Sequence, residues 1–345
     1  MPRARVPGED SQSDWGGKRV TIAPVPKQVC ERVLIERMKS FLRYALVGVA
    51  LLGLGPASYA ASGIRVMILD GESGGPYHNW KATTPVLKKI LEDTGMFQVE
   101  VVTAPRHDGD FSNFHPKFSD YKVIVSNLDA PDGGWSEGTK TDFERYVKNG
   151  GGFVVYHAAD NAFPDWPAYN QMIGIGGWRH RTEAAGPHWY YKDGKLTSDT
   201  NPGPAGQHGK RLPFQVVVRD PKHPITKGLP EKWMHAGDEL YNTLKGPGQN
   251  MDILATAFSD PANKGTGFDE PMLMALHFGK GRIFHTTMGH DVAAMASVDF
   301  ITTLQRGAEW AATGKVTQKV PSDFPTADKV STRPDILQMA PAQGQ

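Results

Sequence analysis

"GGFVVYHAAD", Gly151–Asp160, carries the signature of an α/β sheet. Two glycines lead into a short apolar run, Phe153 to Tyr156, and the run ends on His157 before small residues. In an open α/β sheet a buried strand delivers one side chain to the catalytic edge in this way. Hydrolases place a Ser or Cys nucleophile at such an elbow, whereas this chain places an imidazole there.

Working outward, "IRVMILD" (Ile64–Asp70) is a continuous apolar run closed by an acid, the pattern of a central parallel strand. A helix is expected from Trp80 to about Thr94, a more exposed strand over Phe97–Thr103 and a third strand over Tyr121–Asn127. Ser136, Glu137 and Asp142 then open a helix that stops at Asn149-Gly150. A short helix is expected from Trp166 to about Gly176. Strands are expected over Phe214–Asp220, Asp252–Phe258, Pro271–Phe278 and Gly281–Asp291, and a closing amphipathic helix ends at Gly314. Alternation of strands and helices argues an α/β fold, a doubly wound, mostly parallel sheet flanked by helices, with ligand chemistry at the carboxyl ends of the strands.

The first sixty residues differ in kind. Lys39 and Arg43 precede an apolar stretch, Ala45 to Leu54, and Pro56 comes before a small-residue cleavage site at Ser58 and Ala60. This reads as a signal peptide over residues 38–60, with residues 1–37 an over-extended start. The apolar core falls short of the roughly 20 residues of a spanning helix, so no stable membrane insertion is expected after cleavage. The protein is expected to be exported, periplasmic or extracellular, with one domain over residues 61–315 and an irregular tail over 316–345.

The single cysteine, Cys30, lies in the discarded segment, which excludes disulfides and a thiol nucleophile from the mature chain. Nine of the 38 Lys+Arg and five of the 37 Asp+Glu also fall in residues 1–60, leaving 29 basic and 32 acidic residues. That balance, with no basic stripe, argues against nucleic acid. All 12 histidines remain, and histidine is the usual side chain for proton transfer and metal ligation near neutral pH.

Polar residues gather where the strands are expected to end. They include Asp70, Glu72, His78 and Asn79 after the first strand, Asn127 and Asp129 after the third, and His157 and Asp160 after the fourth. "GWRHR" adds Trp178, Arg179, His180 and Arg181; "HAGDELY" adds His235, Asp238, Glu239 and Tyr241; the last strand adds His285, His290 and Asp291. A histidine at a strand end is more often a hydrogen-bonded structural residue than a ligand or base, and the elbow position reverses that weighting for His157 alone. Asp70 and Asp129 read as well as helix caps or turn formers as they do as site residues, and Trp178 as a core aromatic as well as a sugar-stacking platform. His107, His115 and His208 read as exposed loop residues. A divalent metal, zinc or similar, would have to be assembled from distant segments, with His157, His180 and His290 as ligands. Without metal, His157 or His290 serves as a general base, with Asp238 or Glu239 orienting it. No nucleotide cofactor is expected.

"RVMILDGES", "YHNW", "GGGFVVYHAADNAF", "MIGIGGWRHR", "DPKHPITKGLP", "AGDELY" and "FGKGRIFHTTMGHD" follow one another in the order and spacing of the trehalose-utilization, or ThuA-like, family, which the chain resembles from about Ile64 to Gly314. The resemblance implies a fold similar to the class I glutamine amidotransferases (flavodoxin-like), in which the elbow carries Cys where this chain has His157. It also implies a small-molecule carbohydrate as partner, a sugar oxidoreductase in the same pathway, and a keto-sugar or 3-keto-glycoside as substrate. Catalysis would fall to His157, His290, Asp238 and Glu239, with Asp70, Glu72, His78, Asn79, Asp129, Trp178, His180 and Tyr241 around the sugar. A non-catalytic carbohydrate-binding module and a metal-dependent hydrolase of ordinary glycosides or esters are the alternatives.

Overall fold

The computed structural model describes residues 63–75 and 77–341, so the expected start and signal peptide lie outside the described residues. Strand β1 (Ile64–Asp70) is followed by α1 (Trp80–Glu92), β2 (Phe97–Thr103), β3 (Val123–Ser126), α2 (Glu137–Lys148) and β4 (Gly152–Tyr156). A 3-10 turn over His157–Asn161 leads to α3 (Pro167–Ile173). Then come a hairpin, β5 (His188–Lys192) and β6 (Lys195–Asp199), and the strands β7 (Leu212–Val218), β8 (Lys232–Asp238), β9 (Met251–Phe258), β10 (Asp269–Phe278) and β11 (Gly281–Thr286). Helices α4 (Val292–Met295), α5 (Val298–Thr313) and α6 (Pro334–Leu337) close the described chain.

The strands form one sheet in the order β2-β1-β3-β4-β11-β10-β9-β7-β8, with β5 and β6 attached beside β10. From β2 to β11 every pairing is parallel; from β11 to β8 every pairing is antiparallel. The expected doubly wound α/β sheet is therefore present and is mixed, its parallel half continued by an antiparallel half of which the β8 strand and the β5–β6 hairpin are not legible as apolar runs.

Alternation along the strands divides the core. Val66, Ile68, Val154 and Tyr156 face one layer with Val86, Leu87, Ile90 and Leu91 of α1 and Phe300, Leu304 and Ala308 of α5. Met67, Leu69, Phe153 and Val155 face the other, with Phe143 and Val147 of α2 and Tyr169, Met172 and Ile173 of α3. A side chain at Gly152 would drive its Cβ to 2.6 Å from the Ala311 carbonyl, so glycine there lets α5 lie directly on the sheet. Ser136 caps α2 by accepting from Thr139 N–H at 3.1 Å.

From Val316 to Pro341 the described residues are irregular except for α6, yet they are docked. Thr326 accepts from the Met234 N–H of edge strand β8 at 2.8 Å, Ser331 accepts from Val298 N–H at 2.9 Å, and Ile336 is buried. No described helix is long and apolar enough to cross a membrane.

Candidate metal centre

His157 follows β4 in a left-handed backbone conformation, φ 44°, and is only 1% exposed. For a side chain other than Gly, Asn or Asp this region costs about 1–2 kcal/mol, and tertiary contacts must hold it. They do: the Nδ1–H donates to the Thr287 carbonyl at 2.6 Å, which fixes the tautomer and leaves Nε2 as the lone pair facing the sheet edge. Tyr241 Oη lies 2.8 Å from that Nε2 and 3.1 Å from His78 Nε2.

Three further groups meet His157 there. His78 comes from the loop after β1, Glu239 from the end of β8 and His290 from the loop after β11. One donor atom from each of His78, His157, Glu239 and His290 lies within 4.8 Å of all the others. The imidazole centroids form a near-equilateral triangle with sides of 5.1, 5.1 and 5.4 Å and steep mutual tilts. Glu239 Oε2 is 3.8 Å from His157 Nε2 and 3.0 Å from His290 Nδ1. The second contact is not aligned as a hydrogen bond, and His290 Nδ1 is buried without a hydrogen-bond partner. Spacings of 3.0–3.8 Å bracket the edge of about 3.4 Å between ligands of a tetrahedral cation at roughly 2.1 Å. These donors are arranged toward a common point more than toward one another.

The charge states fit the same purpose. Burial, reinforced by His157 and His290, pushes His78 down to about 2, so it is a neutral imidazole. Burial likewise lowers His157, with His290 adding to it and Asp238 and Glu239 opposing. Burial pulls the Glu239 carboxyl up, but His290 beside it outweighs this and holds it below its usual range. Burial holds the Tyr241 phenol well above its ordinary value, so it is a hydroxyl donor. Neutral His78 and His157 with an ionised Glu239 are the protonation states that ligation of a divalent cation demands.

The other residues singled out from the sequence divide. Trp178 and Tyr241 join the centre, their rings 4.5 Å apart. Asp129 sits behind His78, 4.0 Å from Nδ1, and is held by Arg179 Nε at 2.7 Å. Trp178, Arg179 and His180 are three successive left-handed residues, φ 50°, 43° and 57°, which turns Trp178 inward and His180 outward. His180 therefore does not reach the centre; it lies exposed beside Asp165, 3.1 Å from Oδ1. Asp70 is buried and accepts from Thr84 Oγ1 at 2.8 Å and Thr103 Oγ1 at 2.7 Å, tying β1 to α1 and β2 rather than facing a ligand. Asn79 caps α1. Glu72 accepts from the His107 ring at 2.7 Å and lines a cleft of about 410 Å³ with His78, Asn79, Lys81 and Arg106.

Asp238 does not present an oxygen to the centre either. It is fully buried and accepts from His235 Nε2 at 3.0 Å and from the N–H groups of Glu239 at 2.8 Å, Gly289 at 2.6 Å and His290 at 3.0 Å. His208, read from sequence as a loop residue, instead overhangs Glu239, its Nε2 3.6 Å from Oε1 while Nδ1 donates to the Gly209 carbonyl. Nothing in "GQHGK" distinguishes it from a surface histidine. His285 is buried in the sheet and donates from Nδ1 to the Ile173 carbonyl at 2.8 Å.

A family model described as ThuA, trehalose utilisation, matches residues 65–311. Among solved structures, a ThuA-like protein from Parabacteroides merdae is 46% identical, with a TM-score of 0.76 over 79% of this chain and 99% of that one. A ThuA-like protein from Bacteroides uniformis is 22% identical, with a TM-score of 0.50 over 76% of this chain and 97% of that one, a likeness of fold alone. No curated protein matches the chain. With the family model spanning the sheet and every residue of the centre, this chain belongs to the ThuA family.

Proposed function

We propose that the chain is an exported carbohydrate-active enzyme that acts on a keto-sugar or 3-keto-glycoside by base-assisted elimination followed by hydration, with His78, His157, His290 and Glu239 holding one divalent cation. The observation that carries this reading is the convergence of three imidazoles and one carboxylate on the catalytic edge of the sheet. A cation of the zinc class supplies Lewis-acid stabilisation of the charge that develops on the sugar carbonyl oxygen.

The chain's own residues do the rest. The cleft beside His78, lined by Glu72, Asn79, Lys81 and Arg106, offers polar groups to sugar hydroxyls, and its size of about 410 Å³ lies in the range of small-molecule sites. Trp178 lends an apolar ring face to one side of the sugar. With His157 and His290 engaged as ligands, His208 Nε2 becomes the group placed to take the C2 proton; the C2–H electron pair forms the enolate with the C3 carbonyl, and the C1 substituent leaves with its bonding pair. Tyr241 donates to the oxygen on which charge accumulates. The proton on His208 passes to the departing oxygen, and water adds to the unsaturated sugar.

The test compares a 3-keto-glycoside with its unoxidised parent, using protein that begins at Ala61. The keto-glycoside is expected to be consumed, the parent left intact, and a chelator to abolish turnover until zinc is restored. Equal turnover of both would instead mark a hydrolase of ordinary glycosides. Binding without turnover of either would mark a carbohydrate-binding module.

A further inference from the structure

In the sheet, β8 is the edge strand and β11 a central one, with β10, β9 and β7 between them. In a flat sheet four strand steps would hold β8 about 19 Å from β11. Yet Asp238, the last residue of β8, bonds the N–H groups of Gly289 and His290 three and four residues beyond the end of β11, at 2.6 and 3.0 Å. The antiparallel half of the sheet must therefore curl back, with the loop after Thr286 reaching to meet it. Since antiparallel strands alternate in direction, β8 runs the same way as β11, and their carboxyl ends meet at one edge.

Asp238 is where the two ends are joined. Its oxygens also accept from Glu239 N–H at 2.8 Å, so a single carboxylate fixes the backbone of two residues of the centre that come from opposite sides of the curl. Behind it, His235 spans Asp238 and Asp299, with ring nitrogens at 3.0 and 2.8 Å, and Asp299 is anchored on α5 by Trp233 Nε1 at 2.8 Å and by Ser297 Oγ. All three members are fully buried. Gly289 is required at the joint: its φ is 100°, and a Cβ there would lie 2.5 Å from the Phe300 ring and 2.8 Å from that of Tyr156.

We infer that Asp299, His235 and Asp238 form a latch that closes the curled sheet and brings Glu239 and His290 to the distance at which they share a ligand with His157 and His78. The latch rests on the cation reading for its consequence. Asp238 is on this view a positioning residue rather than a catalytic one, and orienting groups of this kind typically change metal affinity 10–100-fold when replaced.

The test uses chelator-stripped protein, cobalt(II) titration followed by its visible spectrum, and amide hydrogen exchange on Asp238→Asn, which keeps the shape and removes the charge. Phe143→Leu, a buried change on α2 in the opposite core layer from the latch, serves as the control for lost stability. Wild type is expected to bind one equivalent of cobalt, Asp238→Asn to bind about 10–100-fold more weakly with an altered spectrum, and the control to match wild type. The Glu239, Gly289 and His290 amides should lose protection in Asp238→Asn, while those of β1 keep it. Wild-type affinity, spectrum and protection in Asp238→Asn would overturn the latch. Wild type that binds no cobalt would overturn the cation reading instead, with the exchange pattern still deciding the latch.

Discussion

Replacing His157 with Asn or Ala is expected to leave a folded protein that has lost about two to three orders of magnitude in turnover, the range for removing a group that stabilises developing charge. The two variants separate structural from chemical roles. Asparagine tolerates the left-handed backbone at φ 44° and its amide can still donate to the Thr287 carbonyl, so Asn should keep the melting temperature close to that of wild type. Alanine leaves that buried carbonyl without its donor, a loss of about 1–3 kcal/mol. Neither presents a lone pair where His157 Nε2 stands, so metal content should fall in both. Activity that follows the folded fraction, with Asn active, would make His157 a structural residue.

Asp299→Ala should cost about 3–5 kcal/mol, because it breaks a buried charge pair and leaves the Trp233 Nε1–H, His235 Nδ1–H and Ser297 hydroxyl without their acceptor. Burial opposes the charge on His235, but Asp299 and Asp238 outweigh it and push the imidazole up to about 10. Because the folded value lies above the unfolded one of about 6.5, this contribution to stability is complete below pH 6.5 and fades as pH rises through 10. His78 and His157 act with the opposite sign. Their folded values are lowered, so they withdraw stability as pH falls below about 6.5. Metal-free wild type should therefore melt highest near pH 6.5, and Asp299→Ala should melt lower with its alkaline decline flattened. Melting curves from pH 5 to 10 check both. A cost under about 1 kcal/mol with an unchanged alkaline limb would show that the buried pair does not carry this stability.

The parallel half of the fold was legible because its strands are continuous apolar runs closed by polar residues, as in "IRVMILD" and "FVVYH", and buried parallel strands need little else. Strand β8, "KWMHAGD", escaped because its buried positions include Asp238 and His235, and His235 bridges Asp238 to Asp299 on a helix some sixty residues later. A buried charge network has no hydrophobic period. The centre was legible in part. His157 and His290 follow strands that the pattern marks, and Glu239 lies in the specific "DELY" stretch. His180 was misplaced because its direction depends on three successive left-handed residues, which no side-chain pattern announces. His208 had no local signal and reaches Glu239 only through the tertiary fold.

Anomalous diffraction at the zinc edge from zinc-loaded crystals decides whether His78, His157, His290 and Glu239 share one divalent cation. A single peak about 2.0–2.2 Å from a nitrogen of each histidine and from a Glu239 oxygen is the predicted result. No peak there, or a peak only beside the exposed Asp165 and His180, would contradict the account.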